Sequence, residues 1–390
     1  MIQKMRKKRF TGVITTLSQS EQSGDKTEGA QTSEGELFFE REAKQITFQK
    51  AVHRSAKETP GMVDDIVKYT NMYIESKRNT VSYKREKDCR DTTRCEILAL
   101  IGTLFFIGTK KGSYTNVLEL WATNGTGIQT LRAVMGYKRF LFLLRCLRFD
   151  DKSTRSERKQ TDKLAPIRSM LDSFVRNCKN SYTVSEYVTI DEMLHPFRGR
   201  CSFVQYISSK PAKYGLKCFA MCDAKTFYTS NLEVYCKTQP SGSFNESNSP
   251  TDIVKRLVEP IEGSNRNLTT DSWYTSLPLA EYLLGKNITF FGTMRKNKLE
   301  IPPEFLPRKN RKTQSSLFGF RKQETLVSYV PKPNNAVILL STIHDLAELD
   351  KITRIPEIVL SYNETKKAVD TMDKMCTAYS VSIESLTDGL

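Results

Sequence analysis

The chain has 390 residues, 38% of them apolar, and carries a net charge of +16, which is long enough for two or three packed domains. An excess of Lys and Arg on this scale favours a polyanionic partner, because cations that neutralise phosphates release condensed counterions. The sequence argues against membrane insertion, secretion and a disulfide framework: its longest apolar run, Ile97 to Ile107, spans about half a bilayer, its basic start has no apolar stretch behind it, and its nine cysteines are irregularly spaced.

Residues 1–45 are polar and rich in Ser, Thr, Gln, Glu and Gly, a composition that predicts a disordered tail. The basic run within Met1 to Arg9 has the form of a nuclear import signal or of a solvated tail. From 46 to 180 the periodicity is helical. Thr93-Arg94-Cys95-Glu96 has the form of a capping box ahead of an apolar helix through Ile107. Phe140, Leu143, Leu144 and Leu147 recur at helical spacing, with Lys138, Arg139, Arg145 and Arg148 between them as DNA contacts or as helix surface. A third helix is expected after Ala165-Pro166, burying Ile167, Met170, Leu171, Phe174 and Cys178.

Past Tyr182 the pattern changes to strands, at 187–190, 217–221, 227–235 and 287–293, with a helix over 277–284. Alternation would put Cys218 and Cys222 on one face, as buried thiols rather than metal ligands. His53, His195 and His344 are scattered, and no zinc site is expected. Gln239 to Pro250 reads as a loop. Residues 298–356 hold many Lys, Arg and Pro, with short strands at 326–330 and 336–341, and the cluster Arg308 to Lys312 suits either DNA backbone or solvent.

Asp191 closes the β-type run Tyr187 to Ile190, and Asp271 closes Asn267 to Thr270. Asp370 and Asp373 stand three apart, a spacing that shares one face of a helix. Carboxylates are the hard ligands that Mg²⁺ and Mn²⁺ prefer, and a two-metal site stabilises both the attacking and the leaving oxygen of a phosphoryl transfer. Carboxylates so far apart in sequence meet only where a sheet sets strand ends side by side and a helix crosses them. That arrangement is a mixed α and β, ribonuclease-H-like core. Each aspartate alone also has a plain reading, as a cap or turn residue. Arg198 and Arg200, just past Asp191, carry the guanidinium fork that matches phosphate oxygens, while Trp273 is expected to pack in the core.

The words around these residues resemble the piggyBac family of DNA transposases from about residue 46 onward. Thr189-Ile190-Asp191-Glu192-Met193-Leu194, Phe197-Arg198-Gly199-Arg200 and Lys210-Pro211-Ala212-Lys213-Tyr214-Gly215-Leu216-Lys217 are similar to the family's first catalytic block. Asp271-Ser272-Trp273-Tyr274-Thr275-Ser276-Leu277-Pro278-Leu279-Ala280 is similar to the second, and Gly292-Thr293-Met294-Arg295-Lys296-Asn297-Lys298 and Leu326-Val327-Ser328-Tyr329 follow in order. Upstream, Leu147 to Lys152 and Thr161 to Arg168 are also family-like.

The resemblance implies catalytic roles for Asp191, Asp271, Asp370 and Asp373, with Mg²⁺ or Mn²⁺ held by Asp191, Asp271 and Asp370. It implies DNA contacts from Arg198, Arg200, Lys213, Arg295, Lys296 and Lys298. The partner it implies is double-stranded DNA, as transposon ends and TTAA targets, with action in the nucleus. It divides the chain into the first part of a helical dimerisation and DNA-binding region (46–180), a catalytic core (181–297), a basic insertion (298–356), a return to the core (357–379) and a tail unlike the family (380–390). Two departures stand out. The third block, usually Lys-Gly-Gly-Val-Asp, is Lys366-Lys367-Ala368-Val369-Asp370. The chain also stops at Leu390, where family members continue with a basic helix, the second half of a split domain needed for a homodimer, and a cysteine-rich tail. These departures support an alternative expectation, a catalytically inactive derivative that acts as a DNA-binding protein.

Overall fold

The computed structural model describes residues 14–17, 60–78, 89–112, 115–309 and 311–382. The basic run at the start, His53, most of the polar tail and the last eight residues of the chain lie outside them. Within the tail expected to be disordered, Ile14–Leu17 is a strand, β1. Its sequence, Ile-Thr-Thr-Leu, is β-branched at three of four positions, which suits a pleated strand.

The chain divides into two compact units. One is helical and lies within 51–181, with 236–246 and the end of the chain from Asp373. It contains α1 (Pro60–Arg78), α2 (Arg94–Thr109), α3 (Val117–Leu120), α4 (Gln129–Val134), α5 (Tyr137–Cys146), α6 (Arg155–Arg158) and α7 (Arg168–Ser181). Ile74, Ile97, Leu100, Ile107, Leu131, Phe140 and Leu143 form its core. The capping box is half formed. Thr93 Oγ1 accepts the Glu96 amide, but the Glu96 carboxylate turns to Arg139, Arg90 and Thr92. Arg139 is therefore neither surface nor DNA contact. It is 9% exposed and pairs with Glu96 through two nitrogens, at 2.9 and 2.6 Å. The third helix starts at Arg168, yet none of its residues is fully buried; Met170 packs on the helical core, while Phe174 is 44% exposed.

The other unit is built on one ten-stranded mixed sheet. Its strands after β1 are β2 (Tyr187–Pro196), β3 (Gln205–Tyr206), β4 (Tyr214–Asp223), β5 (Thr229–Val234), β6 (Asn267–Thr270), β7 (Thr289–Thr293), β8 (Ser316–Arg321), β9 (Glu324–Lys332) and β10 (Asn335–Ser341). The order is β1-β8-β9-β10-β7-β6-β2-β4-β3, with β5 also on β4. Strands β2, β6 and β7 are parallel neighbours and the other pairs are antiparallel. The series β5-β4-β2-β6-β7, antiparallel then parallel, is the ribonuclease-H-like core. The stretch 298–356, set apart on the sequence as an insertion, supplies three strands that extend the same sheet beside β7.

Parallel neighbours need crossover helices. Helix α8 (Pro250–Val258) precedes β6 and α9 (Leu277–Gly285) precedes β7. Each opens on a serine cap, Ser249 or Ser276, followed by proline within the first turn. Both pack on one face of the sheet with Val188, Ile190, Phe219, Met221, Leu268 and Phe290. The opposite face carries Met193, Cys218, Ala220 and Cys222, covered by Ala368, Val369 and Met372 of α11 (Ala368–Ala378). Preceding it, α10 (Glu357–Thr365) lays Ile358 and Val359 on Phe318, Val327 and Leu339. The two faces follow strand alternation residue by residue, and Cys218 and Cys222 fall together as expected.

Candidate active site

In β2, Val188 and Ile190 point to the α8–α9 face, so Thr189, Asp191 and Met193 point to the other. Thr189 donates its hydroxyl to the Thr365 carbonyl oxygen at 2.8 Å, which marks that face as the one crossed by α10. Strand β6 repeats the device: Leu268 is in the α8–α9 core, while the Thr269 hydroxyl meets that of Thr365 at 2.8 Å. Ile190 is registered with Thr270 in parallel. Asp191 and Asp271 are the next residues on each chain and so stand side by side. Asp271 is just past the end of β6, but Asp191 is within β2, which runs on to Pro196 paired with β4 instead of closing at Asp191 as the sequence suggested. Tyr362 of α10 senses both carboxylates. Burial first, and then their negative charge, pushes its phenol up.

Each carboxylate is fixed by backbone. The Glu192 amide donates to Asp191 Oδ1 at 2.8 Å, and the Trp273 amide donates to Asp271 Oδ1 at 2.8 Å. Burial, together with the neighbouring charges of Glu192 and Asp271, raises Asp191 to about 7. Beneath them Tyr274 is 1% exposed and its hydroxyl lacks a hydrogen-bond partner. Burial and the nearby carboxylates, Glu192 foremost, push that phenol up as well.

Asp370 is in the first turn of α11 and is linked to β2 through Lys210, whose Nζ donates to Asp370 Oδ1 at 3.1 Å and to the carbonyl oxygen of Glu192, the residue after Asp191, at 2.8 Å. Burial alone would lower Lys210. The bond to Asp370 and the charges of Asp370, Asp191 and Glu192 outweigh it and hold the ammonium above its ordinary value. Asp373 lies one turn further along α11, where the chain clusters with the helical unit. The altered third block fits locally: Ala368 is buried in the α11 core, Lys367 is exposed, and neither has the positive φ that would require glycine.

Among the described residues, no group of three His, Cys, Asp or Glu side chains is arranged to hold a metal ion. In kind, Asp191 and Asp271 are the oxygen donors a hard divalent cation takes, and Lys210 shows that a positive charge is accepted between Asp370 and Glu192.

The cations expected to meet DNA occupy two loops at this end of the sheet. Arg198, Arg200 and Lys213 are exposed around the outer end of the β2–β4 pair. Arg295 and Lys296 are exposed just past β7, and Lys298 is half-buried in the turn that follows. The cluster at 308–312 divides. Arg308, Lys309 and Lys312 are exposed, but Arg311 is a structural tie that donates to Ser328 Oγ at 2.6 Å and to the Ser328 carbonyl oxygen at 2.9 Å. Trp273 stacks on Phe219 with ring centroids 5.6 Å apart, and the Lys217 ammonium lies 5.0 Å from its ring centre.

Sequence reasoning passed over Lys210, Tyr274, Tyr362 and the three threonines. The available signal was a threonine two residues before each strand aspartate, at 189 and 269, which alternation assigns to the same face.

A family model described as Transposase IS4 matches residues 59–388. Human piggyBac transposable element-derived protein 3 is 22% identical over 344 residues, which are 83% of this chain and 55% of that protein. Human piggyBac transposable element-derived protein 2 is 22% identical over 347 residues, 84% and 56% of the respective chains. The chain thus spans little more than half the length of these relatives. A solved structure, the cryo-EM synaptic complex of piggyBac transposase with hairpin DNA, is 39% identical with a TM-score of 0.76, covering 82% of this chain and 66% of that one. The chain belongs to the piggyBac-type branch of the transposase IS4 family.

Proposed function

We propose that the protein acts on double-stranded DNA as a metal-dependent transposase, cleaving strands at transposon ends and joining them at TTAA sites in the nucleus. The observation that carries this reading is the side-by-side position of Asp191 and Asp271 on the adjacent parallel strands β2 and β6, with Asp370 of α11 linked through Lys210 to the Glu192 carbonyl next to Asp191. A 39% identical relative captured with hairpin DNA supports a DNA partner. Asp191, Asp271 and Asp370 would hold Mg²⁺ or Mn²⁺, and Asp373 would serve from the next turn of α11. Such ions supply charge stabilisation of the attacking and leaving oxygens. The protein's own contribution is to aim the carboxylates by backbone amides and strand register, and to offer Arg198, Arg200, Lys213, Arg295, Lys296 and Lys298 to the phosphates.

The test is cleavage of a terminal-repeat duplex by the full chain with Mg²⁺ or Mn²⁺. Asp191→Asn is expected to abolish cleavage while leaving the fold intact. Equal cleavage by the variant would refute the catalytic assignment.

One observation favours a second reading, in which the chain binds DNA without chemistry. Asp370 is already engaged by the Lys210 ammonium, and no three-carboxylate cage is formed among the described residues. Salt-sensitive DNA binding by wild type without any metal-dependent cleavage would decide for it.

A further inference from the structure

Strands β3 and β4 meet in a short hairpin closed by the Ile207 amide on the Lys213 carbonyl oxygen at 2.8 Å. Tyr206 and Tyr214 are directly opposed in its register. Their rings lie 4.8 Å apart, centre to centre, and they are 59% and 44% exposed. The Arg198 guanidinium stands 5.0 Å from the centre of the Tyr214 ring. Two large aromatic faces left in water forgo the gain that burial would bring, unless something covers them.

The surroundings say what kind of partner fits. From Met193 to Cys222 the chain contains five Lys and Arg and not one Asp or Glu, so this stretch suits a polyanion and repels a basic ligand. Exposed rings flanked by guanidinium form a stacking platform for nucleobases, whose faces a paired duplex hides. The same hairpin carries Lys210 at its turn, bonded to Asp370 and to the Glu192 carbonyl. It is therefore anchored at Asp370 and at the residue after Asp191, with its tyrosines near Pro196, five residues beyond Asp191 along β2 and so roughly 17 Å away at strand rise.

We propose that Tyr206 and Tyr214, with Arg198, form a stacking site for unpaired DNA bases beside the candidate active site. This rests on the reading of the chain as a DNA-binding protein but does not need it to be catalytic. The site tells unpaired from paired DNA; the cations around it supply affinity common to both.

The experiment uses the full chain in EDTA, so that a failure of the chemistry cannot disturb it. Binding is measured to a fully paired duplex and to the same duplex with an internal mismatched stretch carrying 2-aminopurine. Wild type is expected to prefer the mismatched probe and to quench its fluorescence. The double variant Tyr206→Ala/Tyr214→Ala is expected to lose that preference by about tenfold or more, with unchanged duplex affinity and unchanged circular dichroism, whereas the double phenylalanine variant retains it. Loss of affinity for both probes alike, or undiminished preference in the alanine variant, would overturn the proposal. Wild type that binds both probes equally would also overturn it, leaving the rings as a surface for a protein. Wild type that binds neither would overturn the DNA reading with it.

Discussion

Asp271 is set by a crowded turn as much as by its strand. The Thr275 amide and hydroxyl both donate to the Asp271 carbonyl oxygen, the hydroxyl at 2.8 Å, and Thr270 and Thr275 share a further bond at 2.9 Å. Strand β7 passes so close that a β-carbon on Gly292 would lie 2.3 Å from Thr275 Oγ1 and 2.7 Å from the Thr270 carbonyl oxygen. The glycine is needed for this approach and not for its φ. Gly292→Ala is therefore expected to destabilise the sheet unit by about 1–3 kcal/mol through overpacking and to displace Asp271. Chemical denaturation measures the first effect and the cleavage assay the second; a variant as stable and as active as wild type would remove the turn from the account. The sequence placed Asp271 correctly just past a strand, but not Asp191, because the run Tyr187 to Ile190 continues through Met193 and Leu194 to Pro196 as one strand. Lys210 was not legible, although it stands in a family word, since nothing in a linear pattern tells that a lysine will meet an aspartate 160 residues further on.

At the level of elements, the pair Glu96–Arg139 joins the start of α2 to α5. Both side chains are nearly buried, at 12% and 10% exposure, and Arg139 also donates to the Arg90 and Asp91 carbonyls. Arg139→Met should cost the helical unit about 3 kcal/mol, because it strands a buried carboxylate and those carbonyls, and adding Glu96→Leu should recover part of the loss. Burial alone would raise Glu96. The bonds from Arg139 and Thr92, with the charges of Arg139 and Arg90, outweigh burial and hold its carboxyl below the usual range. The unfolded chain then takes up the proton first. Stability from the pair is full above about pH 4.3 and is lost as the pH falls through the lower folded value. The gap between wild type and Arg139→Met in urea melts is expected to begin narrowing as the pH falls below about 4.3 and to go on narrowing through the lower folded value; a gap independent of pH would show that the arginine acts by packing alone. Arg139 read as a DNA contact or as helix surface because periodicity reports a residue's own helix and not a partner 43 residues away. Strands were legible for the opposite reason: alternation is local, and two-faced burial preserves it through β2 and β4. In α7 the same kind of reasoning found the helix but not its burial, which depends on what its apolar stripe meets.

For the molecule as a whole, the +16 charge becomes a measurable slope only if it is gathered where DNA lies. The sheet unit gathers part of it: the carboxyl ends of β2, β6 and β7 all point one way, and the loops that follow β2 and β7 carry Arg198, Arg200, Arg295, Lys296 and Lys298, with Lys213 opposite on β4's approach. Each cation that neutralises a phosphate adds about 0.9 to the fall of log affinity with log salt. Six such contacts give a slope of roughly −5, against a slope near zero if these side chains were only solvated surface. Exchanging Arg295 and Lys296 for alanine should flatten the slope by about two and weaken binding to paired and unpaired DNA equally, because neither touches the tyrosine pair. Anisotropy titrations over a range of KCl concentrations measure this directly. An unchanged slope in the variant would mean that DNA lies elsewhere than across the loops after β2 and β7, and Asp191 and Asp271 would then lose their substrate.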